Sequence, residues 1–293
     1  MLSKPAFSSV NLNALAKMVS NAGFQRIMFD EDFKQYGRQM KRLLKKNGVA
    51  CAEKCSFKEI INSSYTHLLD HYRHEYLYKT SLLNSYVLKN YSLTDTVLLN
   101  EFKVGNSKAD MVLVNGTNKV FEIKTELDSP ERLNSQINDY YKAFSEVYIV
   151  IHHSTINKYA NLLDERVGIM TFNQNSIEVL RRAQSDQTRL DIAVMMKSLR
   201  KDEYLALVRN LSGFVPKVQP VLLFKSCLQV LSEYAVDEVQ FEYLKVIKQR
   251  INTSTNELVV EPNLPDSLRF SCYNSNLNEN DYLSLIKRLN YRF

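Results

Sequence analysis

The stretch that decides the fold is Ala109-Asp-Met-Val-Leu-Val-Asn-Gly-Thr-Asn-Lys-Val-Phe-Glu-Ile-Lys124. Two apolar-rich runs flank Asn115-Gly116-Thr117-Asn118, a turn cluster of the hairpin type. Side chains at i and i+2 of a strand share a face, so Glu122 and Lys124 project together, with Val120 beside them. Phe121 and Ile123 project the other way and are predicted to bury against a helix. Asp110 opens the first strand, after the loop Gly105-Asn-Ser-Lys108. Two acids and a lysine converging on one hairpin end are costly unless paired, and a divalent cation would offset the repulsion between the carboxylates.

Outward from the hairpin, Thr96 to Lys103 reads as a preceding strand. Asp128-Ser129-Pro130-Glu131 reads as a helix start, with a capping residue, proline in the first turn and an acid at the positive end. That helix is expected to reach Phe144. Arg132, Gln136 and Tyr140 form one stripe on it, beside an apolar stripe of Leu133, Ile137, Tyr141 and Phe144. A helix in this place packs on the sheet and can point Gln136 at Glu122 and Lys124. Glu146 to Ile151 reads as a buried strand and Gly168 to Phe172 as a fifth.

The flanks read as helical. At the N-terminal end, Phe33, Tyr36, Met40, Leu43 and Leu44 recur at helical spacing, with Lys34, Arg38, Lys41, Arg42, Lys45 and Lys46 between them, and a stop near Asn47-Gly48. Helical runs follow over Phe57 to Leu69 and Tyr72 to Asn90. From Ile177 onward the pattern is helical again, clearest over Val194 to Leu211 and Pro220 to Ile251. Asn252 to Asn280 reads as loop and Asp281 to Leu289 as a short helix. The expectation is a mixed α/β (α+β) chain: a helical region over 1–70, an αβββαβ core over 71–175 and a helical region over 176–293.

Composition narrows the function classes. The 293 residues are 45% hydrophobic and 24% charged, an ordinary globular balance, with a formal net charge of +6. No apolar run approaches the roughly 20 residues of a membrane span, and Met1 to Phe7 lacks a secretory pattern. The seven glycines lie at least eleven residues apart, which excludes the common glycine-rich nucleotide loops. Cys51, Cys55, Cys227 and Cys272 read as free thiols in a reducing cytoplasm rather than as a zinc site. His67, His71 and His74 share a helical stretch, and His152-His153 follow a strand; solvated positions are the expectation for all five.

The chemistry that fits the hairpin is phosphodiester hydrolysis. Carboxylate oxygens of Asp110 and Glu122 suit Mg²⁺ or Mn²⁺, and Lys124 beside the ion can orient the attacking water and stabilise the charged transition state. Residues 75 to 151 resemble the PD-(D/E)XK nuclease superfamily, and Gln136-x-x-x-Tyr140 resembles its RecB-like branch. The resemblance covers about a third of the chain. It implies a restriction-endonuclease-like core, metal ligation by Asp110 and Glu122, a water-directing Lys124, Gln136 near the site and Tyr140 supporting it. It also implies a further acid, with Glu75 and Glu101 as the two candidates. Lys108, Arg132 and Tyr140 are the expected nucleic-acid contacts. Lys108-Ala109-Asp110 departs from the family pattern in lacking a proline before the aspartate. The implied protein is a DNA nuclease, with restriction or anti-phage defence as its setting and a possible protein partner on the helical flanks. The alternative is a catalytically silent nuclease fold that binds nucleic acid or a partner subunit.

Overall fold

The computed structural model describes residues 9–251 and 256–293. Among them the chain runs through α1 (Ser9–Met18), α2 (Asn21–Phe29), α3 (Phe33–Lys46), α4 (Phe57–His71), α5 (Glu75–Ser81), a π-helical turn Leu82–Val87 and α6 (Leu88–Asn90). Strands β1 (Val97–Val104), β2 (Ser107–Asn115) and β3 (Thr117–Lys124) lead to α7 (Leu133–Tyr140), β4 (Glu146–His152), α8 (Ile156–Ala160), β5 (Gly168–Asn173) and β6 (Ser176–Arg181). Then come α9 (Ile192–Lys197), α10 (Lys201–Ser212), α11 (Pro220–Leu231), α12 (Val236–Lys248), α13 (Asp266–Asn274) and α14 (Glu279–Leu289). The fold is mixed α/β, and no helix among the described residues is long and apolar enough to cross a membrane.

Packing gathers these elements into two compact units. One holds the described residues of Met1–Asn90, Gln174–Ser176 and Ser254–Phe293; the other holds those of Tyr91–Asn173 and Ile177–Thr253. The N-terminal helices therefore share a unit with the end of the chain, a grouping that differs from boundaries at residues 70 and 175. In the first unit α3 buries Tyr36, Met40 and Leu44 and turns its basic residues outward, then stops at Asn47 with Gly48 at φ +74°. Ser56 and Glu59 form a reciprocal cap that starts α4. Phe293 N–H donates to the Cys55 carbonyl at 2.8 Å, and its ring meets Phe57 edge-on.

The second unit is built on a six-stranded sheet in the order β1-β2-β3-β4-β5-β6. The first three strands form an antiparallel meander; β3, β4 and β5 run parallel. Val120, Val147, Ile149 and Ile151 on one face join a core with Leu133, Ile137 and Tyr140 of α7, and with Met195, Val208, Leu231 and Tyr243 of the later helices. The helix α7 thus lies on the face that carries Glu122 and Lys124. Phe121, expected to meet a helix, points away from α7 and stacks on Tyr148 of β4 at 5.7 Å between ring centres; Ile123 shares that opposite, buried side.

Several expected boundaries are corrected. Asp128 does not cap α7: its carboxylate accepts the Thr125 N–H (2.8 Å) and hydroxyl (2.7 Å), which turns the chain after β3 and delays the helix to Leu133. The helix ends at Tyr140, not Phe144. Helical structure does not begin at Ile177, because Gln174 and Asn175, at φ +45° and +67°, make the left-handed turn that a tight hairpin needs and send the chain back as β6. The run Val194 to Leu211 breaks where Glu203 accepts the Arg200 N–H at 2.7 Å, and Pro220 to Ile251 breaks before Ala235. The helix expected from Tyr72 starts at Glu75, and α13 occupies part of the span read as loop, whose first residues, 252–255, lie outside the described ones.

The β1–β2 hairpin is clamped by α7. Asp139 accepts the Asn106 N–H (3.1 Å) and the Ser107 hydroxyl (2.8 Å), and pairs with Lys142 at 2.9 Å. Gly105, first of the two loop residues, has φ +58°, and a Cβ there would stand 2.9 Å from Asp139 Oδ1. Gly116 has φ +62° with open space around it. Ala at Gly116 is expected to cost only the left-handed conformation, about 1–2 kcal/mol, and Ala at Gly105 distinctly more, as measured by urea unfolding. Burial alone would raise the Asp139 pKa, but hydrogen bonds and the Lys142 charge more than offset it, and the net shift is downward. A lowered carboxylate contributes stability above its unfolded value of 3.8, and that contribution is lost as pH falls below it. Asp139→Asn should flatten that acid limb of the stability curve, measured by unfolding between pH 5 and about 2.

Candidate active site and metal centre

Register brings the candidate residues together. Met111 pairs with Phe121, so Asp110 stands level with Glu122 on the neighbouring strand and on the same face. The Asp110 carboxylate is clipped to β3, accepting the Ile123 N–H at 2.7 Å. On the β1 side, Asn100 pairs with Met111 and Phe102 with Ala109, which leaves Glu101 level with Asp110. Glu101 adopts φ +57°, rare for a residue with a side chain, and its carboxylate pairs with Lys108 at 2.8 Å in solvent.

Glu122 is 2% exposed, and its charge is met by three donors. Lys124 Nζ reaches Oε1 at 2.8 Å and Gln136 Nε2 reaches the same oxygen at 2.6 Å. Lys124 also donates to Gln136 Oε1 at 3.0 Å, closing a three-membered ring of hydrogen bonds. Tyr140 O–H donates to Glu122 Oε2 at 2.5 Å and lies 3.2 Å from the Lys108 carbonyl. Burial, then the charge and hydrogen bond of Glu122, then the charge of Asp110, push the Tyr140 pKa far above the usual phenol value. The phenol therefore stays a donor to Glu122 at any ordinary pH.

The donor chemistry fits a hard divalent cation held by two carboxylates. Glu122 Oε2 takes a single protein hydrogen bond, from Tyr140, and a carboxylate oxygen carries two lone pairs. Asp110 is half-buried, so solvent reaches its edge of the hairpin. Mg²⁺ commonly binds through one or two carboxylates and keeps its remaining waters. Among the described residues no group of three or more His, Cys, Asp and Glu side chains could hold a metal ion, so a cage made wholly of protein is not what the hairpin offers.

The other candidates have separate places. Glu75 belongs to the first unit, where it is exposed and pairs with Lys79 at 2.5 Å. Lys108 is exposed on β2, and Arg132 is exposed at the entry to α7. His74, expected in solvent, is partly buried with its Nε2 2.8 Å from the Val19 carbonyl, and burial lowers its pKa. His152 is buried rather than solvated and lies 3.7 Å from Glu126. The four cysteines are free thiols. Asp139, next to Tyr140, escaped the sequence reading: the two donors it meets on the β1–β2 hairpin lie 32 and 33 residues away, with no local spacing to mark them.

A sequence profile for bacteriophage P4 protein cII matches residues 69–269, more than two thirds of the chain and a span that holds the whole hairpin and α7. The chain belongs to the phage P4 cII family. Protein cII of Enterobacteria phage P4 is 27% identical over 183 residues, covering 60% of this chain and 68% of that one. A solved structure of a protein of unknown function from Silicibacter pomeroyi aligns with 50% of this chain and 78% of its own, at 15% identity and a TM-score of 0.27, too distant to define a shared fold. The cII match ends at residue 269, inside α13, so all of α14 and the terminal Tyr291–Phe293 contacts lie beyond it.

Lys124→Met would leave the Glu122 charge buried without its cation. A loss of about 3–5 kcal/mol in unfolding free energy is expected, as for other broken buried pairs. Adding Glu122→Gln removes the second charge and should recover most of that loss; equal stability of single and double variants would show that the pair is not coupled.

Proposed function

We propose that this cII-family chain is a Mg²⁺- or Mn²⁺-dependent nuclease that hydrolyses phosphodiester bonds of DNA, on a core of the restriction-endonuclease type. The observation that carries the reading is the hydrogen-bonded ring of Glu122, Lys124 and Gln136 at one strand end, with Asp110 clipped to the same strand. The meander β1–β3, the helix α7 and the parallel β4 follow the αβββαβ order of such cores. A phage-encoded relative supports a setting where phage and host nucleic acids meet, as in restriction or defence.

Asp110 and Glu122 would hold the cation, which supplies an acidified water and neutralises a phosphoryl oxygen when bound. Lys124 orients the attacking water and faces the charge that grows on the phosphoryl oxygens. Gln136 fixes the ammonium by accepting one of its hydrogen bonds, and Tyr140 holds the far oxygen of Glu122. Glu101, level with Asp110 on the neighbouring strand, and Glu75 remain the two candidates for a further acid. Lys108 and Arg132 are solvent-facing cations suited to phosphate contact.

One observation favours the rival reading of a silent, nucleic-acid-binding or partner-binding subunit. Glu122 is already matched by three donors, and no third acid completes a metal group among the described residues. Incubating plasmid and linear DNA with Mg²⁺ or Mn²⁺ separates the two. Wild type is expected to cut, Lys124→Ala to fall by about 10²–10³, and Asp110→Ala to be inactive with DNA binding intact. Equal degradation by all three preparations marks a contaminant. Retained DNA binding without cleavage in either metal establishes the silent reading.

A further inference from the structure

One helix carries a charge of +6, equal to the formal net charge of the chain. Lys34, Arg38, Lys41, Arg42, Lys45 and Lys46 all lie on α3, and no acid lies within it. The chain has 38 Lys and Arg against 32 Asp and Glu, so the cations outside α3 balance the acids and α3 carries the entire formal excess of +6. Two of the six are engaged by the fold. Lys41 donates to the carbonyls of Glu53 (2.8 Å) and Phe293 (3.1 Å), and Lys34 sits 5.0 Å over the Tyr291 ring. Arg38, Arg42, Lys45 and Lys46 are exposed and form no ion pair among the described residues. Gln35, Gln39, Arg38 and Arg42 line one shallow groove, closed at its start by Asp32.

Concentrating like charge this way costs self-repulsion, which the contacts of Lys41 and Lys34 and the place of Lys45 and Lys46 in the last turn offset only for those residues. It does suit a polyanion. Arg38 to Lys46 spans about 12 Å of helix, enough to meet successive phosphates of a duplex, with the glutamines between the cations as hydrogen-bond donors. The opposite face of α3 is embedded through Tyr36, Met40 and Leu44, which leaves the cationic face turned outward, and contacts of such cations with phosphates carry no sequence information. We propose that the exposed face of α3 is a binding surface for the phosphate backbone of duplex DNA, without sequence preference. The proposal takes its ligand class from the nuclease reading but stands on the first unit alone.

The test measures duplex binding by fluorescence anisotropy over a salt series, in EDTA, so that neither cleavage nor a metal enters. The variant Arg38→Gln/Arg42→Gln/Lys45→Gln/Lys46→Gln is compared with a control of equal charge, Lys201→Gln/Arg209→Gln/Lys217→Gln/Lys225→Gln, taken from exposed positions of the second unit. Each backbone contact contributes about 0.9 to the slope of log affinity against log salt. The α3 variant should lose about 3–4 from that slope and keep its circular dichroism and melting temperature, while the control keeps the wild-type slope. An unchanged slope in the α3 variant overturns the proposal, as does an equal loss in the control, which would reflect net charge only. Unaltered DNA binding with lost attachment to vesicles rich in anionic lipid would overturn it in favour of a membrane surface. Because no metal is present, a failed cleavage assay leaves this result standing, and a failed binding assay leaves the cleavage result standing.

Discussion

A carboxylate that is 2% exposed must be matched by donors, and Glu122 is matched by side chains from two different elements. Lys124 comes from the same strand by the parity of the β backbone. Gln136 and Tyr140 come from α7, four residues apart on one helical stripe. Docking α7 on the sheet and completing the site are therefore a single event. Leu133 and Ile137 bury the apolar stripe of the helix against Val120 and the β4 residues, and that packing sets the depth at which Gln136 meets Glu122. Asp139 and Tyr140 then fasten the same helix to the β1–β2 hairpin, which bears Asp110.

Parts of this were legible in the residues alone because they depend on local periodicity. The alternation in Val120 to Lys124 puts Glu122 and Lys124 on one side whatever surrounds them, and the i, i+4 spacing does the same for Gln136 and Tyr140. The three meander strands and the long apolar β4 follow from pattern and turn residues. What was not legible depends on competition between local signals. Asp128, Ser129 and Pro130 have the makings of a helix start, yet Asp128 finds better donors behind it in Thr125, and four more residues pass before the helix begins at Leu133. β6 is an edge strand with one buried residue, Ile177, flanked by exposed Val179 and Leu180, so its alternation is weak and a helical reading competes with it. The side of the sheet that α7 covers, and the long-range clamp of Asp139, are tertiary facts with no periodic trace.

Both units pair buried cations, as Lys79 with Glu75 in the first, but the exposed cations of α3 stand apart. In the second unit buried and half-buried charges are matched within reach: Glu203 with Arg250 at 2.6 Å, Asp186 with Arg166 at 2.9 Å, Lys119 with Glu146 at 2.6 Å. In the first, α3 leaves four cations without acids and takes its stability from Tyr36, Met40 and Leu44 beneath. A helix that needed only to pack could carry glutamates among those lysines and gain about 0.2–0.5 kcal/mol per pair. Their absence along fourteen residues is costly to the isolated helix, which shifts the explanation from folding to binding.

The same reasoning bears on Glu122 and Lys124. Replacing a buried ion pair with well-packed apolar side chains of similar volume is often neutral or stabilising by 1–4 kcal/mol, because desolvation consumes the Coulombic gain. The neighbourhood would accept that exchange: Val120, Ile149 and Ile151 already line the same face. Stability alone therefore does not account for a carboxylate, an ammonium, an amide and a phenol gathered in one buried ring, beside a second carboxylate open to solvent. The nuclease proposed above would account for them, because holding a cation and directing a water at a phosphate calls for side chains of these kinds. The ring of hydrogen bonds fixes their positions relative to one another.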